Sequence, residues 1–157
     1  MSKPSTNKQI AAGLNEYGDL LDIKGGNSFK VRAYHNAARL IEGLSDDVAE
    51  LIKNEGDLTR LPGIGQDLAG KIKNIVRTGS FSDLDKIRKE LPPGLPGLLS
   101  VSGLGSKRIK TLYEELKINT LDDLRQAAEK KDIRKLEGFG QKTEDNILRE
   151  LERLHEY

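Results

Sequence analysis

The sequence predicts an all-α protein of two small helical domains, and three observations support this fold class. Apolar residues recur three or four positions apart, as in Ile10, Leu14 and Tyr17, and no stretch alternates as a strand would. A Gly-x-Gly pattern beside apolar residues occurs three times, with first glycines at 63, 103 and 138. The stretch 91–97 holds three prolines and two glycines, which predicts a linker between a domain at 1–90 and a domain at 98–157.

In the first domain, the apolar spacing predicts a helix from about Asn7 to Ile23. Asn27 or Ser28 is expected to cap a second helix that ends near Gly43. A short third helix opens at residues 45–47, a fourth stops at Thr78-Gly79, and a fifth starts at Ser82. The residues expected to face the core are Phe29, Ala33, Ala37, Ala38 and Ile41 in the second helix, and Leu68, Ile72, Ile75 and Val76 in the fourth.

In the second domain, three further helices are predicted. The first carries Ile109 and Leu112 toward a core, the second is capped by Thr120, and the last carries Ile147 and Leu151. Asp46-Asp47 and Asp122-Asp123 lie at helix starts, where the helix dipole explains acidic residues without a metal.

The three glycine patterns share one design. They read Leu61-Pro62-Gly63-Ile64-Gly65, Val101-Ser102-Gly103-Leu104-Gly105 and Leu136-Glu137-Gly138-Phe139-Gly140. Two close glycines allow positive φ and a tight turn, while the apolar residue between them can pin the turn to its flanking helices. Each turn leads into a helix whose first amides and positive dipole end favour an anion, commonly a phosphate.

These patterns therefore resemble helix-hairpin-helix motifs, which hold the nucleic-acid backbone without reading sequence. The residues expected to contact backbone are Gly63, Ile64, Gly65, Gly103, Leu104, Gly105, Lys107, Gly138, Phe139, Gly140 and Lys142. The residue two positions beyond the second glycine is basic in the second and third patterns but is Asp67 in the first. The second and third patterns are thus expected to bind phosphate better than the first.

Two nucleotide-binding motifs are rejected. Residues Gly65 to Lys71 match the start of a P-loop, but Ile72 stands where a Ser or Thr should bind magnesium. A dinucleotide fingerprint would need a glycine at Leu68. A plain alternative, that the glycines only join helices as tight turns, explains one copy better than three.

Composition limits the other classes of function. The chain has 157 residues, no cysteine and a net charge of +1, so disulfides and thiolate metal sites are excluded and any DNA affinity must come from local charge and backbone amides. No apolar run approaches ~18 residues, and the start of the chain lacks an apolar signal core. The expected protein is a cytoplasmic, nucleoid-associated monomer.

The order of motifs resembles the amino-terminal region of a family X DNA polymerase, of the polymerase-beta and bacterial PolX kind. The resemblance rests on 29–34 (Phe-Lys-Val-Arg-Ala-Tyr) with Ala37-Ala38, on the first two glycine patterns, and on Thr78-Gly79. The third pattern and the Leu-Pro-Pro-Gly-Leu linker are closer to the bacterial and archaeal branch. The resemblance implies a lyase-type domain followed by a fingers-type (thumb-type in other usage) DNA-binding domain.

That family's first domain holds the 5′-phosphate side of a DNA gap, its second holds the primer-side duplex, and some members excise a 5′-deoxyribose phosphate in base excision repair. The polymerase palm and the bacterial phosphohydrolase region are not found in this sequence. The chain is therefore expected to be a polymerase fragment or a stand-alone relative that cannot polymerise alone, with lyase activity as its only possible catalysis.

The resemblance places the family's Schiff-base lysine on Lys71, with Lys30 at the 5′ phosphate and Tyr34 lining the pocket. Helical geometry also puts Lys71 beside the apolar stripe of its helix, where partial desolvation would lower its pKa and free the amine for attack. The competing interpretation is an ordinary solvated helix lysine. This chain departs from the family at Thr59, Asp67, Asp83 and Phe29, and the two aspartates are expected to weaken phosphate binding.

No cofactor is expected to be required, although family members hold a monovalent cation at the hairpins. The corresponding carbonyls for Na⁺ or K⁺ belong to Thr59, Leu61 and Ile64, and to Leu99, Val101 and Leu104. His35 and His155 are isolated and are expected to be structural or solvated. The basic cluster at residues 130–135 is expected to be a solvated face.

Two alternatives to gap binding stay open. One is a purely architectural binder, in which all three motifs hold duplex backbone. The other is a protein-interaction module, which the near-zero net charge favours slightly.

Overall fold

The computed structural model describes residues 5–155, and the fold is all-α there, with no strand. The first four residues, which belong to the start considered for an export signal, lie outside the described part. The helices are α1 (Asn7–Ile23), α2 (Ser28–Gly43), α3 (Val48–Lys53), α4 (Gln66–Thr78), α5 (Ser82–Glu90), α6 (Ser106–Leu116), α7 (Leu121–Glu129) and α8 (Gln141–His155). A short 3₁₀ turn precedes each glycine pattern, at Leu58–Arg60, Leu95–Ser100 and Ile133–Lys135.

The chain divides into two compact units between Ile87 and Arg88. Residues 91–97, predicted as a linker, belong to the second unit by this division. Leu95 is fully buried, and a Cβ on Gly94 would lie 2.5 Å from the carbonyl oxygen of Asn119. The prolines therefore end α5 as predicted, but the segment packs against its own unit because Gly94 lets it approach closely.

The first unit is built on α1 and α2. Thr6 caps α1 in a reciprocal pair with Gln9, and Asn27 caps α2 by accepting from the amides of Phe29 and Lys30. The side chain of Asn7 donates to the Asp46 carbonyl at 2.7 Å and accepts from the Val48 amide at 2.9 Å, which ties the start of α1 to the start of α3.

The buried face of α2 differs from the sequence prediction. Phe29 is 75% exposed and Ala33 is exposed, so their assignment to the core was wrong. Val31 and Tyr34 begin the true buried stripe, which continues through Ala37, Ala38 and Ile41. Residues 31, 34, 38 and 41 follow the three-and-four spacing of one helix face, whereas 29 and 33 lie on the other.

In α4 the predicted core residues Leu68, Ile72 and Ile75 are buried. Val76 is only half-buried, and Ala69 takes its place. In the second unit, Ile109, Leu112, Ile147 and Leu151 are buried as predicted. Thr120 caps α7 by accepting from the Asp123 amide at 3.0 Å.

His35 joins α1 and α2 and is structural, as its isolation in the sequence indicated. Its Nδ1 lies 2.8 Å from Asn15 Oδ1, and its Nε2 lies 3.3 Å from Asp19 Oδ1. The hydrogen bond to Asp19 raises the pKa of His35 above its ordinary value, against the opposing effect of burial.

We expect the His35–Asp19 pair to make stability depend on pH. A raised folded-state pKa means that the stabilisation is complete below the unfolded value of about 6.5 and is lost as the pH rises through the folded value. Asp19→Asn should therefore lower the free energy of unfolding by up to about 1 kcal/mol at acid pH and by little at alkaline pH. Urea unfolding at both pH values tests this, and equal losses would contradict it.

Candidate nucleic-acid interface

The three glycine patterns form the same turn. We name them hairpin one (61–65), hairpin two (101–105) and hairpin three (136–140). In each, the fourth residue donates its amide to the carbonyl of the first: Ile64 to Leu61 at 3.1 Å, Leu104 to Val101 at 3.1 Å, and Phe139 to Leu136 at 3.0 Å. The first glycines have φ of +79°, +93° and +83°, which is the third-position requirement of a type II turn.

The second glycine of each hairpin has a different role from the one predicted. Gly65 and Gly105 are extended, with φ of −90° and −87°, and are the N-cap residues of α4 and α6. Positive φ is thus needed only at the first glycine. Among the described residues, and apart from the glycine itself and its two chain neighbours, no heavy atom lies within 4 Å of a Cβ built on Gly65, Gly105 or Gly140. The second glycine leaves the backbone open at the start of the following helix.

The apolar residue between the glycines pins the turn in two of the three hairpins. Ile64 and Leu104 are 3% and 5% exposed, whereas Phe139 is only half-buried. The guanidinium of Arg108, in the first turn of α6, lies 5.8 Å from the Phe139 ring centroid and donates to the Gly103 carbonyl at 2.9 Å. Arg108 therefore links hairpins two and three.

Helix α8 also supports hairpin two. The side-chain amide of Asn146 donates to the Ser102 carbonyl at 3.2 Å, and Glu150 Oε1 accepts from the Ser102 amide at 3.2 Å. Hydrogen bonding from Arg153 lowers the pKa of Glu150, to which the Ser102 amide adds, so this carboxylate stays charged at neutral pH. The helix that follows hairpin three thus holds hairpin two in place.

A buried ion pair holds the chain on both sides of hairpin three, and sequence reasoning missed it. Glu144, in the first turn of α8, is 0% exposed. Its carboxylate accepts from Nε of Arg134 at 2.8 Å, from Nη2 at 2.8 Å and from the Arg134 backbone amide at 2.9 Å. Arg134 belongs to the turn before the hairpin, so the basic cluster at 130–135 is more than a solvated face.

The charge at the start of the following helix differs between the hairpins, as the sequence indicated. Lys107 and Lys142 are exposed in the first turns of α6 and α8, and the structure gives no ion-pair partner for either within residues 5–155. Asp67 occupies the matching position of α4. The N-terminal start of α6, which has no side-chain cap, and that of α8 therefore present positive charge, whereas the start of α4 presents negative charge.

Lys71 lies beside the apolar stripe of α4, as predicted, with its side chain 13% exposed. Its Nζ donates to Tyr34 Oη at 2.6 Å and to Asp67 Oδ2 at 2.8 Å, and lies 3.1 Å from Asp83 Oδ2. Tyr34 is buried and packs edge-on against Tyr17 with a centroid distance of 4.7 Å. Lys71 is therefore not the solvated lysine of the competing interpretation.

The predicted lowering of the Lys71 pKa is wrong. Burial does lower it, but hydrogen bonds to Asp67, Tyr34 and Asp83 together outweigh burial and raise the pKa above the ordinary lysine value. The amine is thus protonated at neutral pH. Burial also raises the pKa of Tyr34, with Lys71 opposing the change.

Of the other predicted pocket residues, Lys30 lies near Tyr34 and Phe29 is on the open surface. Lys30 Nζ is 5.6 Å from the ring centroid of Tyr17, which itself contacts Tyr34. The Phe29 ring has the guanidinium of Arg32 at 4.9 Å. Lys30, Tyr34 and Lys71 are therefore brought together, as the resemblance implied.

The carbonyls predicted to hold a monovalent cation are partly engaged within the hairpins. Those of Leu61 and Val101 each accept the turn hydrogen bond described above, which leaves each one lone pair. The cation stays a prediction. In the part of the chain that the structure describes, no three His, Cys, Asp or Glu side chains are grouped as metal ligands would be. Across residues 5–155, no helix has the length and apolar character needed to cross a bilayer.

Comparison with known families agrees with this geometry. Residues 5–81 match the model of a helix-hairpin-helix domain, and residues 96–153 match that of a SAM-like helix-hairpin-helix tandem. Helix-hairpin-helix domains thus make up most of the chain. Helix-hairpin-helix domains indicate DNA binding for both matched parts of the chain.

The helix-hairpin-helix chain is also similar to a family X polymerase, which confirms the resemblance seen in the sequence. It is 36% identical over 144 residues, or 92% of its length, to the DNA polymerase/3′-5′ exonuclease PolX of Bacillus subtilis (strain 168). The match is to the amino-terminal part of that protein. The chain spans 25% of the relative's length.

Proposed function

We propose that this chain binds gapped or nicked duplex DNA through its backbone, without reading sequence, as the amino-terminal region of a family X repair polymerase. The observation that carries the proposal is the shared geometry of the hairpins. Each places an unobstructed glycine at the start of a helix, where a phosphate can approach the first backbone amides. Phosphate contacts position a protein on a duplex but carry no direct sequence information.

The experiment is a gel titration at low salt of a one-nucleotide gapped duplex, with and without a 5′ phosphate, against an intact duplex of the same sequence. Tighter binding of the gap supports the proposal. Equal binding of all three duplexes would leave an architectural binder. No binding at all would instead favour a protein-interaction module.

The glycines offer a prediction that separates turn geometry from ligand access. Gly103→Ala should destabilise the second unit by about 1–2 kcal/mol, because alanine is strained at a φ of +93°. Gly105→Ala should cost less than about 1 kcal/mol yet weaken duplex binding, since its methyl group enters the space left open for a phosphate.

Urea unfolding and fluorescence anisotropy on a duplex test both variants. The prediction is wrong if Gly105→Ala binds like the unmodified chain at equal stability, or if Gly103→Ala unfolds no sooner than Gly105→Ala.

We attach a second activity, 5′-deoxyribose-phosphate lyase chemistry, to Lys71. Its Nζ lies in a sheltered position at 2.6 Å from Tyr34 Oη, which favours this residue over the exposed Lys73. A neutral Lys71 amine would add to the C1′ aldehyde of the open sugar and lose water to give an imine, which borohydride reduces to a stable secondary amine. Because the resting amine is protonated, we expect little trapped product at neutral pH, and that little should disappear in Lys71→Ala.

A further inference from the structure

We propose that Asp67 and Asp83 are internal anions that compete with DNA for Lys71 and so suppress recognition of a 5′ phosphate by the first unit. The proposal rests on the proposed function, because it names what regulates that same site. It assigns the two aspartates as specificity-determining residues of gap binding.

The Lys71 ammonium has no hydrogen left to donate. An ammonium carries three N–H donors and no acceptor. Three oxygens surround Nζ: Tyr34 Oη at 2.6 Å, Asp67 Oδ2 at 2.8 Å and Asp83 Oδ2 at 3.1 Å. A phosphate oxygen can therefore bind the amine only by displacing one of them.

The groups that surround the Lys71 amine differ in their exposure to solvent. Tyr34 is 2% exposed and belongs to the core, whereas the side chains of Asp67 and Asp83 are 82% and 46% exposed. The carboxylates thus lie on the solvent side of the amine. Asp67 comes from the first turn of α4 and Asp83 from the first turn of α5, so two separate elements close the site.

The local charge around Lys71 does not favour a phosphate. Lys71 with Asp67 and Asp83 sums to −1, and adding Lys30 brings the pocket to zero. A 5′ phosphate carries between one and two negative charges near neutral pH and gains no net attraction from such a pocket. By contrast, the first turn of α6 presents the exposed Lys107 to an incoming phosphate.

The arrangement in which Asp67 and Asp83 are bonded to Lys71 is stable across the physiological pH range. The hydrogen bond from Lys71 lowers the pKa of Asp67. The stabilisation from the ionised Asp67 is therefore fully present above the unfolded-state carboxyl pKa of about 3.9, and it is lost only as the pH falls through the lower, folded-state pKa. The raised pKa of Lys71 keeps the ammonium charged up to at least about 10.4. A competing anion, and not a pH change, is what opens the site.

The test compares the unmodified chain with Asp67→Asn/Asp83→Asn by fluorescence anisotropy on a labelled one-nucleotide gapped duplex. Each protein is titrated with the duplex bearing a 5′ phosphate and with the same duplex bearing a 5′ hydroxyl. The ratio of the two dissociation constants cancels any general gain in DNA affinity from the lost negative charge. We expect a ratio below about threefold for the unmodified chain and roughly tenfold for the double variant, as for one charge-assisted hydrogen bond.

Two controls make the result specific. Glu42→Gln/Glu50→Gln removes the same charge from exposed positions of the first unit and should leave the ratio unchanged. Adding Lys71→Met to the double variant should abolish the gain. A second readout needs no DNA: acylation by an N-hydroxysuccinimide ester should be slow at Lys71 relative to Lys73, and faster at Lys71 in the double variant.

The outcomes separate the two proposals. If the unmodified chain binds no duplex at low salt, the proposed function fails. If it binds but the ratio does not rise in the double variant, or rises equally in the control, this inference alone is overturned. Equal acylation of Lys71 with and without the aspartates would also overturn it.

Discussion

Replacing Arg134 with methionine is expected to destabilise the second unit by about 3 kcal/mol. The substitution leaves the carboxylate of Glu144 fully buried without its guanidinium partner, and breaking a buried pair in this way costs about 3–5 kcal/mol. The lower end applies because the backbone amide of residue 134 still donates to Glu144 at 2.9 Å. Urea unfolding followed on the NMR amide signals of α8 measures the loss.

Two further variants show whether the effect belongs to the pair. Arg149→Met removes an exposed arginine from α8, the helix that contains Glu144, and should change stability by less than about 0.5 kcal/mol. Arg134→Met combined with Glu144→Leu should recover part of the loss, since an apolar pair tolerates burial better than a lone charge. Our account of the pair is wrong if Arg134→Met unfolds no sooner than Arg149→Met.

Lys107→Glu combined with Lys142→Glu is expected to lower duplex affinity on the order of 100-fold at about 50 mM salt. Each lysine that neutralises a phosphate contributes roughly 0.9 to the slope of log K against log salt. Losing both should therefore reduce that slope by about 1.8. The measurement is a set of anisotropy titrations at several salt concentrations.

The matched control carries the same charge change away from the hairpins. Lys117→Glu with Arg149→Glu alters the C-terminal end of α6, ~16 Å from its first residue, and the middle of α8. We expect nearly unchanged affinity and slope. Equal losses in both variants would mean that net charge, and not the helix starts, governs binding.

Much of the fold could be predicted because it depends on local signals. The bounds of α1, the caps at Asn27 and Thr120 and the three glycine turns follow from residues a few positions apart. The face of α2 was misjudged, because Phe29 is apolar but lies 75% exposed. Hydrophobicity at one position indicates burial only when its helical neighbours share the face.

The candidate site was only partly predictable. The pairing of Asp67 with Lys71 is readable from their four-residue spacing, but Asp83 reaches the same amine only through the packing of α5. Glu144 and Arg134 lie ten residues apart with a turn between them, and no periodicity connects them. The direction of the Lys71 pKa shift could not be predicted because two of its three partners, Tyr34 and Asp83, come from other helices.

The hydrogen bonds to the Ser102 backbone affect which kind of duplex the second unit can bind. The Ser102 backbone is hydrogen-bonded on both sides by Asn146 and Glu150 of α8, which couples hairpin two to the helix that begins at hairpin three. The proposed phosphate positions at hairpins two and three are then held at one separation. An A-form duplex has a wide, shallow minor groove and therefore a different spacing between its strands. We expect an RNA–DNA hybrid to contact only one of the two hairpins at a time and therefore to bind more weakly than B-form DNA. Equal affinities for the two duplexes in parallel titrations would show that the distance between hairpins two and three can change.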